Sequence, residues 1–317
     1  MDEPTPPPGH TIRAPERGDA AAIFDLFASH NLQVVGMADL TLDDIVEELA
    51  EPDFDLAHDG WLAHDEEGRP SGYACVYRSS EPEHRIEVVT DDPALAAWLR
   101  DQAVERSREI ARADGHEAVT IDIGVYRADE PQRALVADAG FSPGTTYHRM
   151  RIDHDGPVAP PALPIGVVRR TGADGLDVRR AGHAVIEAAF AGQFGITTQP
   201  FEQWHAAREG RTSFHWSQLV VLEVDGEPMA AREDNDQFVE DEDCGYVARL
   251  AVLEPARGKG LAKLLLREGF AAHAAAGRSG TILHVDTNNP TPALDLYTSV
   301  GMEAVLVIDV WRAVVPT

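Results

Sequence analysis

The sequence predicts an α/β fold of the α+β kind, two tandem domains that each carry a mixed, mostly antiparallel sheet flanked by helices. Three observations predict it. Short apolar strands and amphipathic helices follow one order twice along the chain, a proline-rich stretch at residues 153–164 breaks the chain near its middle, and an apolar strand at 250–253 runs through a glycine turn into a helix.

In the second half a short strand at 166–169 leads to helices around 179–190 and 200–208, then to strands at 218–224 and 228–232. A strand at 245–253 feeds the glycine turn and a helix at 260–276, and a strand (281–285), a helix (292–300) and a final strand (304–311) complete the order. The first half reads alike: a strand at 11–13, helices at 19–29 and 42–50, and strands at 60–63, 72–77 and 85–90. A helix at 93–113, a strand at 118–123, a helix at 131–139 and a strand at 146–152 follow. The expected division is therefore 1–155 and 156–317.

Composition bounds the function. The 317 residues suffice for two cores, and the formal net charge of −27 excludes nucleic acid and anionic membrane as partners, since both reward clustered Lys and Arg. Only Cys75 and Cys244 are present, which excludes a disulfide framework and a cysteine-rich zinc site, and the 13 histidines have no ligand-like spacing, so no metal is expected. The start of the chain carries acid and proline where a signal peptide needs basic and then apolar residues, and no apolar run is long enough to span a bilayer. A cytoplasmic monomer or homodimer is the expectation.

The stretch from Val252 to Leu266 carries the chemistry. A helix opening directly from a bend with Gly258 and Gly260 offers main-chain N–H groups and a positive dipole end to one small volume, a place for phosphate. No Gly-Lys-Ser/Thr closes it, and it lacks the Rossmann glycine spacing.

The pattern Arg257-x-x-Gly260-x-Ala262 after Leu250-Ala251-Val252 resembles the pyrophosphate loop of the GCN5-related N-acetyltransferase (GNAT) family. Downstream, Asn289, Ala293, Leu296-Tyr297 and Gly301 resemble the family's second signature, with one extra residue between Asn289 and Ala293. The resemblance extends to tandem members with a mycothiol synthase-like two-domain plan. It implies acetyl-CoA as cosubstrate, held by the bend from Arg257 through Gly258, Lys259, Gly260 and Leu261 to Ala262. The main chain of Leu250, Ala251 and Val252 would then pair with the pantetheine arm, and the Val252 N–H would polarise the acyl carbonyl. Tyr297 would protonate the departing thiolate; otherwise it is a helix tyrosine packed on the sheet. Asn289 would contact the coenzyme, or it and Asn288 cap the helix.

No spacing rule selects a general base among Tyr246, Asp243, Asp286, His284 and Glu187; Tyr246 and Asp286 stand with Tyr297 and Val252 as the catalytic set. The acidic run 234–243 reads as a solvated loop or as an electrostatic funnel for a cationic amine. In the first half, residues 91–114 contain no glycine, Asp91 and Asp92 look like helix caps, and Val136 stands where Tyr297 stands later, so that half is expected to be degenerate. The expected activity is N-acylation of a small-molecule primary amine. Gln193-Phe194-Gly195-Ile196 and Tyr246 depart from the acidic residues expected of a mycothiol synthase. Mycothiol synthesis, acylation of an antibiotic or other specialised metabolite, and coenzyme A sensing without turnover are the alternatives.

Overall fold

Periodicity of two in strands and 3.6 in helices places the apolar side chains, and capping groups fix where elements begin and end. The computed structural model describes residues 5–317 except 38, 52, 81, 192–198 and 288–292. These form two units, Met1–Tyr147 with Leu306–Thr317, and His148–Val305.

In the first unit β1 (Thr11–Arg13), α1 (Ala20–Val35), α2 (Leu42–Glu48), β2 (Gly60–His64), β3 (Pro70–Ser80) and β4 (Glu83–Val89) are followed by α3 (Pro93–Ala113), β5 (Ala118–Tyr126) and α4 (Glu130–Asp138). Strands β1 to β4 pair antiparallel in chain order, and β4 pairs parallel with β5 because α3 crosses between them. Helix α3 opens on Asp92, whose carboxylate accepts from the N–H groups of Ala94 and Leu95, with Pro93 in the first turn. Its Ala103, Ile110 and Ala111 pack on Ile86, Ile121 and Ile123, each fully buried aliphatic contributing about 1.5–3 kcal/mol. On the opposite face Ile23 and Ile45 of α1 and α2 meet Leu62, Tyr73, Cys75 and Val89.

Strand β6 (Ser142–Asp153) begins in the first unit and ends in the second. The second unit continues with β7 (Val167–Thr171), α5 (Leu176–Phe190), α6 (Phe201–Glu209), β8 (Leu219–Val224), β9 (Glu227–Asn235) and α7 (Val239–Glu242). Then come β10 (Cys244–Val252), α8 (Leu261–Ala275), β11 (Gly280–Asp286) and α9 (Ala293–Thr298). The sheet order is β7-β8-β9-β10-β11, antiparallel except for β10 and β11, which α8 connects, with β6 beside β11. Helices α5 and α6 cover the face that carries Leu219, Val221, Ala231 and Ala251. Helix α8 covers the face of Val220, Leu222, Leu250 and Val252, and α9 joins it over Val247, Leu283 and Val285.

The last strand, β12 (Glu303–Pro316), pairs antiparallel with β5 from Ile308 to Pro316 and buries Trp311 in the first unit's core. Arg312 binds Asp122 through two hydrogen bonds of 2.7 Å, and Arg127 and Thr146 bind Asp309. The sequence reading placed the division at 155 and kept 304–317 in the second half. Strand β12 differs because its apolar alternation fits either sheet, and only long-range pairing decides which.

The acidic run 234–243 is not a single solvated loop. It begins inside β9, where Glu233, Asp234 and Asn235 are buried, and continues into α7. Asp234 pairs with Arg232 at 2.8 Å, Arg208 grips both oxygens of Glu233, and Glu242 binds Arg149 and Arg151. Buried carboxylates survive only when paired; Arg232 stands two residues from Asp234, whereas Arg208, Arg149 and Arg151 come from far away in sequence.

Candidate active site

Strands β10 and β11 are paired only from Cys244↔Gly280 to Tyr246↔Ile282, after which they part. Beyond that point β10 stays paired with β9 alone, through an irregularity between Val247 and Arg249 that re-aims the strand. The Leu253 N–H donates to Met229 O at 3.0 Å, so strand alternation turns the Val252 N–H away from β9, toward the edge that β11 has left. Leu250 and Val252 send their side chains beneath α8 while Ala251 packs toward α5. An edge of main-chain donors and acceptors is thus exposed between two parallel strands.

The bend that follows is built by a short turn, Glu254–Ala256, in which Pro255 sets the backbone. Gly258 and Gly260 then adopt φ of 74° and 81°, the left-handed region that side chains other than glycine enter at a cost of about 1–2 kcal/mol. No atom lies within 4 Å of where a Cβ would stand at either glycine, so the approach to the main chain is open. Gly260 caps α8 without any side-chain hydrogen bond, which leaves the first N–H groups of the helix unclaimed by a cap. The Arg257 N–H is committed to Glu254 O at 3.1 Å, contrary to its expected share in the cradle. Its guanidinium Nε instead donates to Val252 O at 3.1 Å, which places the charge beside the open edge.

Tyr297 lies on α9 in the core with Met150, Val247, Phe270 and Leu283, and burial, aided by Tyr246, pushes its pKa up to about 12. It is therefore a protonated phenol at neutral pH. On the other face of the sheet the Tyr246 hydroxyl lies 3.1 Å from His284 Nδ1, with the Phe238 ring 5.1 Å from Tyr246 and 6.0 Å from His284. Surrounding protein and then the Arg149 guanidinium lower the His284 pKa to about 4, although the ring still reaches solvent. Arg149 lies 4.3 Å over the Phe238 ring. Asp286 ends β11 two residues beyond His284 and so shares its face.

Glu187 stands on α5 with His183 3.9 Å away, and Asp243 is a left-handed residue after α7 whose carboxylate faces Arg278 at 3.9 Å. Asn289, Asn288 and residues 193–196 lie outside the described residues. Sequence reasoning missed Arg149 and Phe238 around Tyr246 and His284. No local pattern marks them, because β6 and the start of α7 come together only in the fold.

The corresponding bend of the first unit is closed. Residues 90–92 alone join β4 to α3, Thr90 donates to Ser71 O, and the Asp92 carboxylate occupies the helix start at 2.8 Å from the Ala94 nitrogen while bonding His10 at 3.1 Å. Among the described residues no group of three or more His, Cys, Asp and Glu could hold a metal ion, and no helix is long and apolar enough to cross a membrane.

Residues 188–302 match the model of the acetyltransferase (GNAT) family. No functionally curated protein matches the sequence. Among solved structures, a GCN5-related N-acetyltransferase from Sphaerobacter thermophilus superposes with a TM-score of 0.82 at 23% identity, covering 99% of this chain and 98% of that one. A tandem GNAT protein of the clavulanic acid biosynthesis pathway gives 0.68 at 18% identity, over 96% of this chain and 98% of that one. A GCN5-related glucosamine N-acetyltransferase region of a fungal multi-domain β-N-acetylglucosaminidase gives 0.68 at 16% identity, over 99% of this chain and 39% of that one. These likenesses carry the fold, through both halves.

Proposed function

With residues 188–302 belonging to the GNAT family of acetyltransferases and the tandem GNAT fold running through the chain, we propose that the second unit moves acetyl from acetyl-CoA directly to a small-molecule primary amine. One observation carries this reading. The uncapped start of α8, with two left-handed glycines and open space above them, adjoins the unpaired edge of β10. A diphosphate fits the first feature and an amide-bearing arm the second.

In this reading the N–H groups of 258–262 grip the diphosphate, with Arg257 and Lys259 adding charge. Leu250, Ala251 and Val252 align the arm through their main chain. The Val252 N–H donates to the acyl oxygen as negative charge grows there, an interaction worth most in a site screened from water. Acetyl-CoA supplies an acyl group on a sulfur leaving group. Tyr297, protonated throughout the neutral range, gives its hydroxyl proton to that sulfur.

Nitrogen bonded to the acyl carbon holds its proton weakly, so a base as feeble as the Tyr246–His284 pair suffices to remove it, with Asp286 beside them. Because His284 titrates near 4, it stays neutral at working pH and puts no inflection in the rate between about pH 5 and 8. Any rise there follows the acceptor amine losing its proton.

The test is thiol release from acetyl-CoA across a panel of primary amines, amino sugars included, as a function of pH. Turnover with at least one amine is expected, with kcat about tenfold or more lower in Tyr297→Phe and acetyl-CoA binding intact. No amine-dependent release across the panel would leave a coenzyme-binding protein without turnover and sink the proposal.

A further inference from the structure

Strand β10 does not alternate regularly, and the break decides which side chains face the proposed acyl site. Tyr246 pairs with Asn235 and Val247 with Asp234, but the next residue of β9, Glu233, meets Arg249, so Ala248 is one residue too many. In a regular strand Arg249 would share the face of Val247, which packs with Leu266 and Phe270 of α8. The extra residue reverses this. Asn235 and Glu233 stand two apart on β9 and share a face, so Tyr246 and Arg249 share it too, about 7 Å apart along the sheet. It is the face on which Ala251 packs toward α5 and Arg208 of α6 reaches Glu233.

Arg249 is exposed there, beyond the point where β11 parts from β10. Its guanidinium donates to the neighbouring Ala248 O at 2.9 Å, and no carboxylate of the described residues lies within 4 Å of it. Glu233, directly across the ladder, is already held through both oxygens by Arg208 at 2.8 and 2.9 Å. The chain has 54 Asp and Glu against 27 Lys and Arg, and on the neighbouring strands Arg169, Arg170 and Arg232 each meet a carboxylate within 4 Å. Arg249 does not, and the strand irregularity turns it to the same side as Tyr246 and His284.

We infer that the acceptor amine of the second unit carries a carboxylate, which Arg249 binds while the amine nitrogen lies at Tyr246 and His284. The inference rests on the acyl-transfer reading and narrows its acceptor. A guanidinium offers a carboxylate two parallel N–H donors. One guanidinium answers one negative charge; a phosphate would bring a second to a face on which Glu233 and Asp286 already stand. A net charge of −27 repels anions at a distance, so an anionic acceptor needs a cation of its own beside the reacting atoms. The spacing of about 7 Å suits an amino acid whose nitrogen and carboxylate are a few methylenes apart.

The test pairs glycine, β-alanine and 4-aminobutyrate each with its carboxamide, which keeps the amine and the length but drops the charge. Thiol release from saturating acetyl-CoA is measured for every pair. At least one acid should exceed its amide about tenfold or more in kcat/KM, through a lower KM. Arg249→Gln should collapse that preference by raising the KM of the acid rather than lowering kcat, and Arg249→Lys should restore part of it. Arg170→Gln, on the edge strand β7, should keep the preference, and calorimetric binding of acetyl-CoA shows that each variant is folded. Amides turned over as well as acids, or an acid preference that survives Arg249→Gln, would overturn the inference and leave acyl transfer standing. Absence of turnover with any amine at all would remove acyl transfer itself, and the inference with it.

Discussion

The two bends that lead from β4 into α3 and from β10 into α8 start from the same local problem and solve it in opposite ways. Each follows a strand, opens a long helix and leads to a parallel strand, so each must deal with helix N–H groups that have no partner within the helix. The first unit answers with Asp92, a carboxylate held by two N–H groups and by His10. The second answers with Gly260, which offers no side chain at all, on a longer excursion through residues 253–260. A helix start satisfied from within is stable and closed to anions; one left uncapped forgoes about 1 kcal/mol and keeps its donors for a ligand. On the proposed function, the difference between a supporting unit and a coenzyme-binding one is concentrated in this choice.

The largest effect should come from removing what the first unit takes from the other end of the chain. Deleting residues 306–317 strips β5 of its partner from Ile308 to Pro316, empties the place of Trp311 and leaves Asp122 without Arg312. The first unit should then lose its cooperative unfolding, a loss on the order of the 5–15 kcal/mol that holds a domain together. Calorimetry of the shortened chain checks this. An unfolding transition still assignable to the first unit at its original temperature would show that β12 is dispensable there.

Gly260→Val attacks the comparison from the other side. At φ of 81° a β-branched residue is strained by about 1–2 kcal/mol, and its methyls project into space that is otherwise open. Affinity for acetyl-CoA should drop about tenfold or more, measured by calorimetry, while Gly226→Val, also at positive φ but in the turn between β8 and β9, leaves that affinity unchanged. Equal affinity in the Gly260 variant would remove the bend from the coenzyme site.

Much of this was legible because it is local. The strand, glycine bend and helix at 250–266 lie in one stretch of sequence, and Asp92-Pro93 announces α3 to the residue. Helix α1 runs on to Val35, past the expected end at 29, because its stop is Gly36 in the left-handed conformation. Most of what sequence concealed is long-range. The acidic run looked solvated because Arg149 and Arg151, which bind Glu242, are remote in the chain, and because Arg232, which binds Asp234, was read only as the end of a strand. His284 could be named as a base candidate, but not set above Asp243 or Glu187 until the fold put it 3.1 Å from Tyr246. Strand β12 could be foreseen as a strand but not as a strand of the first unit.

The smallest effect is also the sharpest test of what the two bends teach. Asp92→Ala removes the cap of α3 and the bond to His10, and should cost the first unit about 1 kcal/mol, seen as a lower thermal midpoint. It frees the N–H groups of Ala94 and Leu95 as Gly260 leaves those of α8 free. Coenzyme binding should nevertheless not appear in the first unit, because the short connection 90–92 supplies no left-handed glycine and Thr90 remains tied to Ser71. If titration of Asp92→Ala with acetyl-CoA found a second equivalent bound, the cap alone would have been the barrier, and the length of the second unit's bend would lose its explanatory role.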